Sequence, residues 1–396
     1  MDSKFHIEVN IQQKNYEGER ICGDVFTSRK VKEENRIIAV LSDGMGHGVK
    51  ANILATLTAT MAVNFSEEHK DFRKIAEIIM NTLPVCSERK ISYSTFSIID
   101  IDADGEVRIL EYDNPQCVIL RGTEIFEPEW TCIYLNTEKN AGKELLSCSF
   151  KPRKEDRIVI FSDGITQSGM GGGNEKFLFG WGRDNLLEYI QGLVKQDHTI
   201  SAQRLAAKVV NMAHINDNYQ SKDDTSCAVI YLRDPRKLLI CTGPPYEKNK
   251  DVEYAKIVSE FNGIKILCGA TTCDIISREL NKEITDSFEF NDPDLPPVSY
   301  MEGVDLITEG ILTLSKVSEI LRSYSTQTKL GKGPADLIVK MLLESDEIHL
   351  VIGTRINIAH QDPSLPVELE IRRTVVKRIA RLLEEKFLKE VEVSYI

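Results

Sequence analysis

Four short acidic segments stand out among the residues whose types and spacing could do chemistry. They are CGD, SDGMGHGVKAN, FSDGITQSG and SKDDTS, which contain Asp24, Asp43, Asp163 and the pair Asp223 and Asp224. Each segment lies where an apolar run meets a turn or a helix. A single Asp-Gly of this kind is most often a turn, because Asp hydrogen-bonds to its own backbone. Four such ends in one part of the chain favour a second hypothesis, a cluster of carboxylates.

Carboxylates that converge repel one another and raise each other's pKa unless a cation neutralises them. Oxygen ligands without His or Cys suit Mg²⁺ or Mn²⁺ and do not suit Zn²⁺. The nine cysteines are scattered and form no C-x-x-C pair, so neither a zinc site nor a disulfide framework is predicted. If the four acidic ends meet, the sequence therefore predicts a magnesium or manganese site.

The elements that would position these acidic residues are mostly strands. An alternating apolar pattern at residues 5–11 is typical of a half-buried strand, and helices are expected after Gly48, over 71–82 and within 182–215. Further strand-like runs lie at 36–42, 94–101, 107–112, 117–122, 156–162 and 225–232. Runs of strands interrupted by helix pairs predict an antiparallel α+β architecture.

After residue 235 the pattern changes to alternating strands and helices. Near-continuous apolar runs at 237–243, 265–269, 304–310 and 348–354 are typical of buried parallel strands. Helical segments are expected at 249–261, 273–281, 313–324, 334–345 and 366–388. The sequence thus predicts two domains, 1–235 and 236–396, and the second is expected to be a doubly wound α/β domain with a regulatory or ligand-binding role.

The first domain resembles a known family. The series GD … DGMGHG-x-x-A … SDG … DD-x-[ST], over about residues 3–234, is similar to the PPM-type metal-dependent serine/threonine protein phosphatases, and specifically to the stage II sporulation protein E branch. The most specific element is DGMGHG at 43–48, followed by Ala51. The resemblance implies a sandwich of two antiparallel sheets flanked by helix pairs, the αββα fold.

The resemblance also implies a site with two Mn²⁺ or Mg²⁺ ions. Asp24, Asp43 and the Gly44 carbonyl would hold one ion, and Asp163, Asp223 and the shared Asp43 would hold the other. Two such ions activate a water that attacks phosphorus, and Asp43 and Asp24 would be the catalytic residues at this centre.

Some positions depart from the family pattern or stay open. In the last motif the family ligand is the first Asp of the pair, which favours Asp223 over Asp224. Met45 stands where many relatives carry a candidate general-acid His, and His47 is shifted, so His47 either orients the turn or takes part in catalysis. The family's middle-strand Ala-Gly-His stretch is replaced by EYDNPQ at 111–116.

The activity implied by the resemblance is hydrolysis of phosphoserine or phosphothreonine on a protein. The implied substrates include a phosphorylated STAS-type anti-sigma-factor antagonist in a bacterial partner-switching pathway. Two alternatives stay open: a phosphatase-like regulatory binding module that senses a small ligand through its C-terminal domain, and a small-molecule phosphatase.

The strand ends of the second domain are rich in Gly and Thr. Open α/β sheets bind ligands beyond the carboxyl ends of their strands, and the turn CGATTCD opens a predicted helix. Thr271, Thr272 and Arg355 would complete a pocket for a small anionic ligand. The alternative is an ordinary helix N-cap at Thr272 or Asp274.

Charge and hydropathy exclude several classes of partner. The chain has 49 Lys and Arg against 61 Asp and Glu, a net charge of −12, which argues against nucleic acid and anionic membranes as partners. No apolar run approaches the roughly 18 residues of a membrane-spanning helix, and the N-terminus lacks a signal-peptide core. We therefore expect a cytoplasmic protein; its oligomeric state stays open, with a homodimer among the alternatives.

Overall fold

The chain divides into two units, Met1–Asp234 and Pro235–Ile396, each with its own hydrophobic core. The computed structural model describes residues 5–31, 36–68, 71–82, 94–102, 105–135, 140, 142–171, 177–325, 327–355 and 365–396. No helix within these ranges is long and apolar enough to cross a membrane.

The N-terminal unit contains two antiparallel sheets. The strands, in chain order, are β1 (His6–Lys14), β2 (Asp24–Val31), β3 (Arg36–Gly44), β4 (Ser94–Asp102), β5 (Val107–Tyr112), β6 (Val118–Arg121), β7 (Glu124–Ile125), β8 (Thr131–Tyr134), β9 (Glu144–Phe150), β10 (Asp156–Phe161) and β11 (Thr225–Arg233). One sheet has the order β1-β11-β10-β6-β7, and the other has the order β2-β3-β4-β5-β9-β8.

Helix pairs cover the outer faces of these sheets. Helices α1 (Gly48–Glu68) and α2 (Phe72–Thr82) pack on the six-stranded sheet. The short α3 (Asp163–Thr166) is followed by α4 (Arg183–Gln196) and α5 (Ala202–Asn216), which pack on the five-stranded sheet. The αββα sandwich expected for the first domain is confirmed.

The sequence of β3 shows why the sheets are covered on both sides. Ile38 and Val40 point to α1 and α2, while Ala39 and Leu41 point to the other sheet. Because side chains alternate across a strand, a continuous apolar run buries both faces. The helix-facing and sheet-facing cores therefore share the same strands, and polar residues are left for the strand ends.

The C-terminal unit is built on one seven-stranded sheet. Its strands are β12 (Lys237–Thr242), β13 (Ile264–Cys268), β14 (Ile284–Asp286), β15 (Ser299–Met301), β16 (Val304–Thr308), β17 (Glu347–Ile352) and β18 (Glu390–Tyr395), in the order β14-β15-β16-β13-β12-β17-β18. The five strands from β16 to β18 in this order are parallel, and β14 and β15 form an antiparallel edge.

Helices cover both faces of this sheet, as in a doubly wound α/β fold. Helices α6 (Asp251–Glu260) and α7 (Ala270–Leu280) pack on one face, and α8 (Ile311–Ser323), α9 (Pro334–Glu344) and α10 (Leu365–Glu385) pack on the other. Two features of this unit were not predicted from the sequence, the β14–β15 edge and the last strand, β18. The segment DPDLPP between β14 and β15 forms neither helix nor strand.

Candidate active site

Two of the predicted acidic residues lie side by side at one end of the six-stranded sheet. Asp24 is the first residue of β2 and pairs in register with Asp43 near the end of β3. Gly44 follows at the point where the chain turns into α1. A Cβ on Gly44 would lie 2.1 Å from the carbonyl oxygen of Ala51, so only glycine allows this close approach. The spacing of DGMGHG-x-x-Ala thus reflects a tight strand-to-helix turn.

The other two segments meet at the end of the five-stranded sheet. Asp163 opens α3 directly after β10, and Asp223 precedes β11. These strands are neighbours, and the Ser162 amide donates a 3.1 Å hydrogen bond to the Ser226 carbonyl beyond their last paired residues. The register therefore brings Asp163 and Asp223 to the same edge.

A polar contact joins the two sheets at this edge. The Ser226 hydroxyl donates to Asp24 Oδ2 at 2.6 Å, and Gln13 Nε2 donates to Ser226 Oγ at 2.9 Å and to the Asp24 carbonyl at 3.2 Å. Asp24 is only 2% exposed. Ser226 is the last residue of the DD-x-[ST] motif. Gln13 was missed by the sequence analysis, because no local pattern links residue 13 to residue 24 or 226.

The carboxylates of the four segments interact electrostatically. Burial, followed by the charges of Asp24, Asp163 and Asp223, raises the pKa of Asp43 well above its ordinary value. Burial also raises the pKa of Asp24, against the lowering effect of the Ser226 hydrogen bond. The pKa of Asp223 rises to about 6 through burial and the charge of Asp163. The predicted acidic residues therefore share one region, which we call the acidic cluster: Asp24, Asp43, Asp163 and Asp223.

The acidic cluster is not closed around a cation. Among the described residues, no three His, Cys, Asp or Glu side chains already form a metal-ligand set. Asp163 Oδ2 accepts a hydrogen bond from Gln167 Nε2 at 2.7 Å, and Asp223 Oδ1 accepts one from the Asp224 amide at 2.8 Å. Buried Asp24 Oδ1 has no hydrogen-bond partner in the described part of the chain. The excess of negative charge and the oxygen-only donors fit a hard divalent cation. The carboxylates would rotate towards such a cation when it binds.

Asp223 and Asp224 have different surroundings. Asp224 is buried, and its Oδ1 accepts a 3.0 Å hydrogen bond from the Tyr16 amide, which ties down the loop between β1 and β2. Asp223 is partly exposed, and its charge acts on Asp43. Asp224 Oδ2 is also buried without a hydrogen-bond partner among the described residues, and the charge of Asp224 raises the pKa of Asp24. Asp223 as the ligand of the pair stays a prediction.

His47 is held by two residues of the same loop that the sequence analysis missed. Its Nδ1 lies 2.8 Å from Glu19 Oε1, and its ring stacks on Tyr16 with centroids 4.3 Å apart and planes inclined by 8°. Gly48 has φ +73°, and a Cβ there would lie 2.8 Å from Glu19 Oε2. The second glycine of GHG therefore makes room for the carboxylate that orients His47.

The segment that replaces the family's Ala-Gly-His stretch also faces this region. Asp113 has φ +56°, and burial and the charge of Asp163 raise its pKa. Asn114 instead accepts a hydrogen bond from the Thr95 hydroxyl and donates to Ser97 Oγ at 3.1 Å. Asp113 thus lies on the side of the acidic cluster, while Asn114 joins the turn after β5 to β4.

The sequence-predicted pocket of the C-terminal unit is only partly assembled. Thr271 and Thr272 lie at the start of α7, after β13, whereas Arg355 follows β17, and β12 separates these two strands. Arg355 Nη2 lies 3.5 Å from Asp251 Oδ1, and its Nε donates to the Tyr246 carbonyl at 3.2 Å. The structure therefore does not bring Arg355 beside the two threonines.

The sequence of the N-terminal unit matches a known protein family. Residues 33–233, just over half of the chain, match the family described as stage II sporulation protein E. The chain belongs to this family. Its members are PP2C-type serine/threonine phosphatases, so the resemblance drawn from the acidic motifs and the enzyme class that it implied are confirmed.

Solved structures of phosphatases are similar to this chain at low sequence identity and with TM-scores below 0.5. The PP2C domain of Bacillus subtilis SpoIIE with a fragment of its regulatory domain is 19% identical over 58% of this chain and 64% of that chain, with a TM-score of 0.46. The RsbU and RsbW domains of a Mycobacterium tuberculosis protein are 14% identical over 64% and 69%, with a TM-score of 0.44. The catalytic domain of PstP with two manganese ions is 13% identical over 58% and 100%, with a TM-score of 0.39. The chain thus spans less than two thirds of the first of these structures. Among curated proteins, no match was found.

Proposed function

We propose that the N-terminal unit hydrolyses phosphoserine and phosphothreonine on a protein, with two divalent cations held by the acidic cluster. The observation that carries this proposal is the in-register pairing of Asp24 with Asp43 at the strand ends, where burial and the charges of Asp24, Asp163 and Asp223 also raise the pKa of Asp43. Carboxylates gathered in this way destabilise a fold unless a cation offsets their repulsion. Metal binding for catalysis would explain why the fold tolerates this repulsion between carboxylates.

The ligand assignment follows the positions of these residues on the two sheets. Asp24, Asp43 and the Gly44 carbonyl would hold one ion, and Asp163 and Asp223 would share Asp43 to hold the second. All of these donors are oxygens, which favours Mg²⁺ or Mn²⁺. When bound, such ions would supply positive charge to the phosphoryl group and lower the pKa of a water.

Neighbouring residues orient the ligands. The Ser226 hydroxyl occupies Asp24 Oδ2 and leaves the buried Oδ1 for a cation. Asp24 and Asp43 stand on paired strands, so their separation is set by the backbone and not by flexible loops. Gln167 holds one oxygen of Asp163 from the next turn of the chain. These contacts pre-organise the ligands and reduce the rearrangement that metal binding requires.

The surroundings of the acidic cluster favour a protein substrate. Asp163 and Asp223 are partly exposed, and a stripe of exposed apolar residues runs along α1 directly after the DGMGHG motif: Val49, Ile53 and Leu57. Exposed apolar surface of this kind is typical of protein-protein contacts. We propose a phosphorylated STAS-type anti-sigma-factor antagonist as the substrate class, in bacterial partner-switching signalling, because the family resemblance implies it.

We further propose that residues 236–396 form a regulatory, ligand-binding domain. The four acidic segments all lie in the N-terminal unit, so the C-terminal unit is not needed to complete the acidic cluster. A ligand can regulate only if it binds the active and inactive arrangements with different affinities. This role predicts that the C-terminal unit binds a small molecule of its own.

The proposed activity is tested by phosphate release from a phosphorylated STAS-domain protein, with Mn²⁺ or Mg²⁺ and with EDTA. We expect hydrolysis only with metal, and a loss of at least about a hundredfold in Asp43→Asn, since a two-ion centre would lose its shared ligand. The matched control is Asp71→Asn, because Asp71 is an exposed helix cap at α2 and Asn caps equally well.

Comparison with an aryl phosphate distinguishes the substrate classes. A protein phosphatase should hydrolyse the phosphoprotein with a much higher kcat/KM than the aryl phosphate. Equal efficiency on both would favour the small-molecule alternative. Metal-independent hydrolysis, or full activity in a folded Asp43→Asn protein, would contradict the two-metal assignment.

A further inference from the structure

Two neighbouring turns of the C-terminal unit share the pattern Gly-x-x-Thr. Residues 269–272 follow β13, and residues 310–313 follow β16. The two strands are parallel partners, with Cys268 opposite Thr308, so both turns lie at the carboxyl edge of the sheet. The Gly269 amide donates a 2.9 Å hydrogen bond to the Thr308 carbonyl. The two turns therefore form one continuous backbone surface.

The two glycines bring these turns together. Gly269 has φ +105°, and a Cβ on Gly310 would lie 3.3 Å from the Gly269 Cα. A Cβ on Gly269 would meet only the Gly310 Cα at 3.7 Å and Thr272 Oγ1 at 3.8 Å. Thr272 Oγ1 thus lies in van der Waals reach of the position that a Cβ on Gly269 would occupy.

The threonines that end the two patterns are buried without a hydrogen bond. Thr272 is 1% exposed and Thr313 is not exposed, and neither Oγ1 has a partner among the described residues. A buried hydroxyl without a hydrogen-bond partner destabilises the fold, and most such groups in proteins are paired. Both turns therefore end in a buried hydroxyl for which the described residues supply no hydrogen-bond partner.

Helices α7 and α8 differ in the groups that accept hydrogen bonds from their first backbone amides. Glu309 Oε2 accepts hydrogen bonds from the amides of Leu312 at 3.1 Å and Thr313 at 3.4 Å, so a carboxylate of this chain already caps α8. Within the described part of the chain, no side chain caps α7, whose first helical bond runs from the Cys273 amide to the Gly269 carbonyl. The preceding amides of α7 are oriented, like those of any helix N-terminus, to receive negative charge.

We propose that the turn at residues 269–272 binds an oxyanion group, phosphate or carboxylate, of a small ligand. The amides of Ala270 and Thr271 donate to this group, and the Thr272 hydroxyl contributes the side-chain contact. Glu309 shows the kind of group that the neighbouring turn accepts, and its negative charge opposes the binding of a second anion nearby. The proposal rests on the ligand-binding role proposed for residues 236–396 and does not depend on the proposed phosphatase activity.

The test is the broadening of the ³¹P resonance of inorganic phosphate by the full-length protein in EDTA. Without metal the acidic cluster repels phosphate, so we expect the broadening to report the turn at 269–272. Ala270→Pro removes one amide donor at the first helical position, where proline is tolerated. Thr272→Val removes the hydroxyl at nearly constant volume. We expect each change to weaken phosphate binding by about tenfold, the value of one hydrogen bond to a charged group.

The matched control is Ile311→Pro, which makes the same change at the first residue of α8, where Glu309 already caps the helix. We expect it to bind phosphate like the wild type. Competition by acetate or by methyl phosphate then distinguishes a carboxylate ligand from a phosphate ligand. Absence of broadening in the wild type overturns the proposal. So does broadening that Thr272→Val and Ala270→Pro leave unchanged, or broadening that Asp43→Asn abolishes.

Discussion

Replacing Asp43 by Asn should stabilise the N-terminal unit without metal and destabilise it with metal. Burial and the charges of the other three cluster residues raise the pKa of Asp43 well above its ordinary value of 3.8. A carboxyl group whose pKa rises on folding destabilises the folded state at any pH above 3.8, by about 1.4 kcal/mol for each pH unit up to its folded pKa. Asn has no charge to bury and therefore avoids this cost.

Without metal, the stability gained by Asp43→Asn depends on how far the pH lies above the ordinary pKa of the carboxyl group. Between 3.8 and 7 there are about 3 pH units, which set an upper limit of about 4 kcal/mol on the destabilisation. Because Asp43 is partly exposed, solvent screens its charge, and we expect Asp43→Asn to gain about 1–2 kcal/mol at pH 7. The gain should shrink as the pH falls towards 4, where the carboxyl group becomes protonated in the unfolded chain as well.

Metal should reverse the order of the two proteins. At a concentration of 100 times the dissociation constant, a ligand that binds only the folded state contributes about 2.7 kcal/mol. The wild type should gain this stabilisation with Mn²⁺, while Asp43→Asn, which lacks the shared ligand, should gain little.

Urea unfolding followed by tryptophan fluorescence measures both effects in the full-length protein. Both tryptophans, Trp130 and Trp181, lie in the N-terminal unit, so the signal reports the unit that carries the cluster. Asp71→Asn should unfold like the wild type with EDTA and with Mn²⁺. An Asp43→Asn protein that is no more stable than the wild type in EDTA and is still fully stabilised by Mn²⁺ would contradict the role of Asp43 as the shared ligand.

Three further changes test other parts of the structure. Asp224→Ala should cost about 1–3 kcal/mol in urea unfolding, because it leaves the Tyr16 amide without its acceptor, yet it should reduce kcat less than Asp223→Ala does. Gly48→Ala should destabilise the protein by about 1–2 kcal/mol, through its positive φ and the nearby Glu19 carboxylate, and lower phosphatase activity, which a kinetic assay with metal would detect. A chain truncated after Asp234 should stay folded by circular dichroism and hydrolyse a phosphopeptide; an insoluble or inactive product would make the second unit a structural partner.

The positions of the acidic residues could be predicted because each depends on a short pattern. An apolar run followed by Ser-Asp-Gly places Asp43 and Asp163 at strand ends, whatever the rest of the chain does. The contact between Ser226 and Asp24 could not be predicted, because it joins residues that are 202 positions apart on different sheets. The same holds for the loop residues that hold His47, since stacking on an aromatic ring has no sequence period.

In the C-terminal unit, only the strands with long apolar runs could be predicted from the sequence. The central parallel strands are buried on both faces and appear as continuous apolar segments, so β12, β13, β16 and β17 were predicted. Strand β18 alternates Glu with Val at the sheet edge and follows a long helix, and β14 and β15 are three residues each. Pairing with a neighbouring strand, which a local pattern does not encode, defines these edge elements.

The alternation of side chains along an extended chain explains why the last acidic motif carries two aspartates. Residues two apart in a strand point to the same side, so Asp224 and Ser226 share one side at the start of β11. Their partners confirm this, because Asp224 accepts from the Tyr16 amide of the β1–β2 loop, and Ser226 donates to Asp24 at the end of that loop. Asp223 is left to act on Asp43. The two adjacent carboxyl groups therefore have different surroundings: Asp224 anchors the loop that leads to Asp24 and adds its charge there, and Asp223 adds its charge at Asp43.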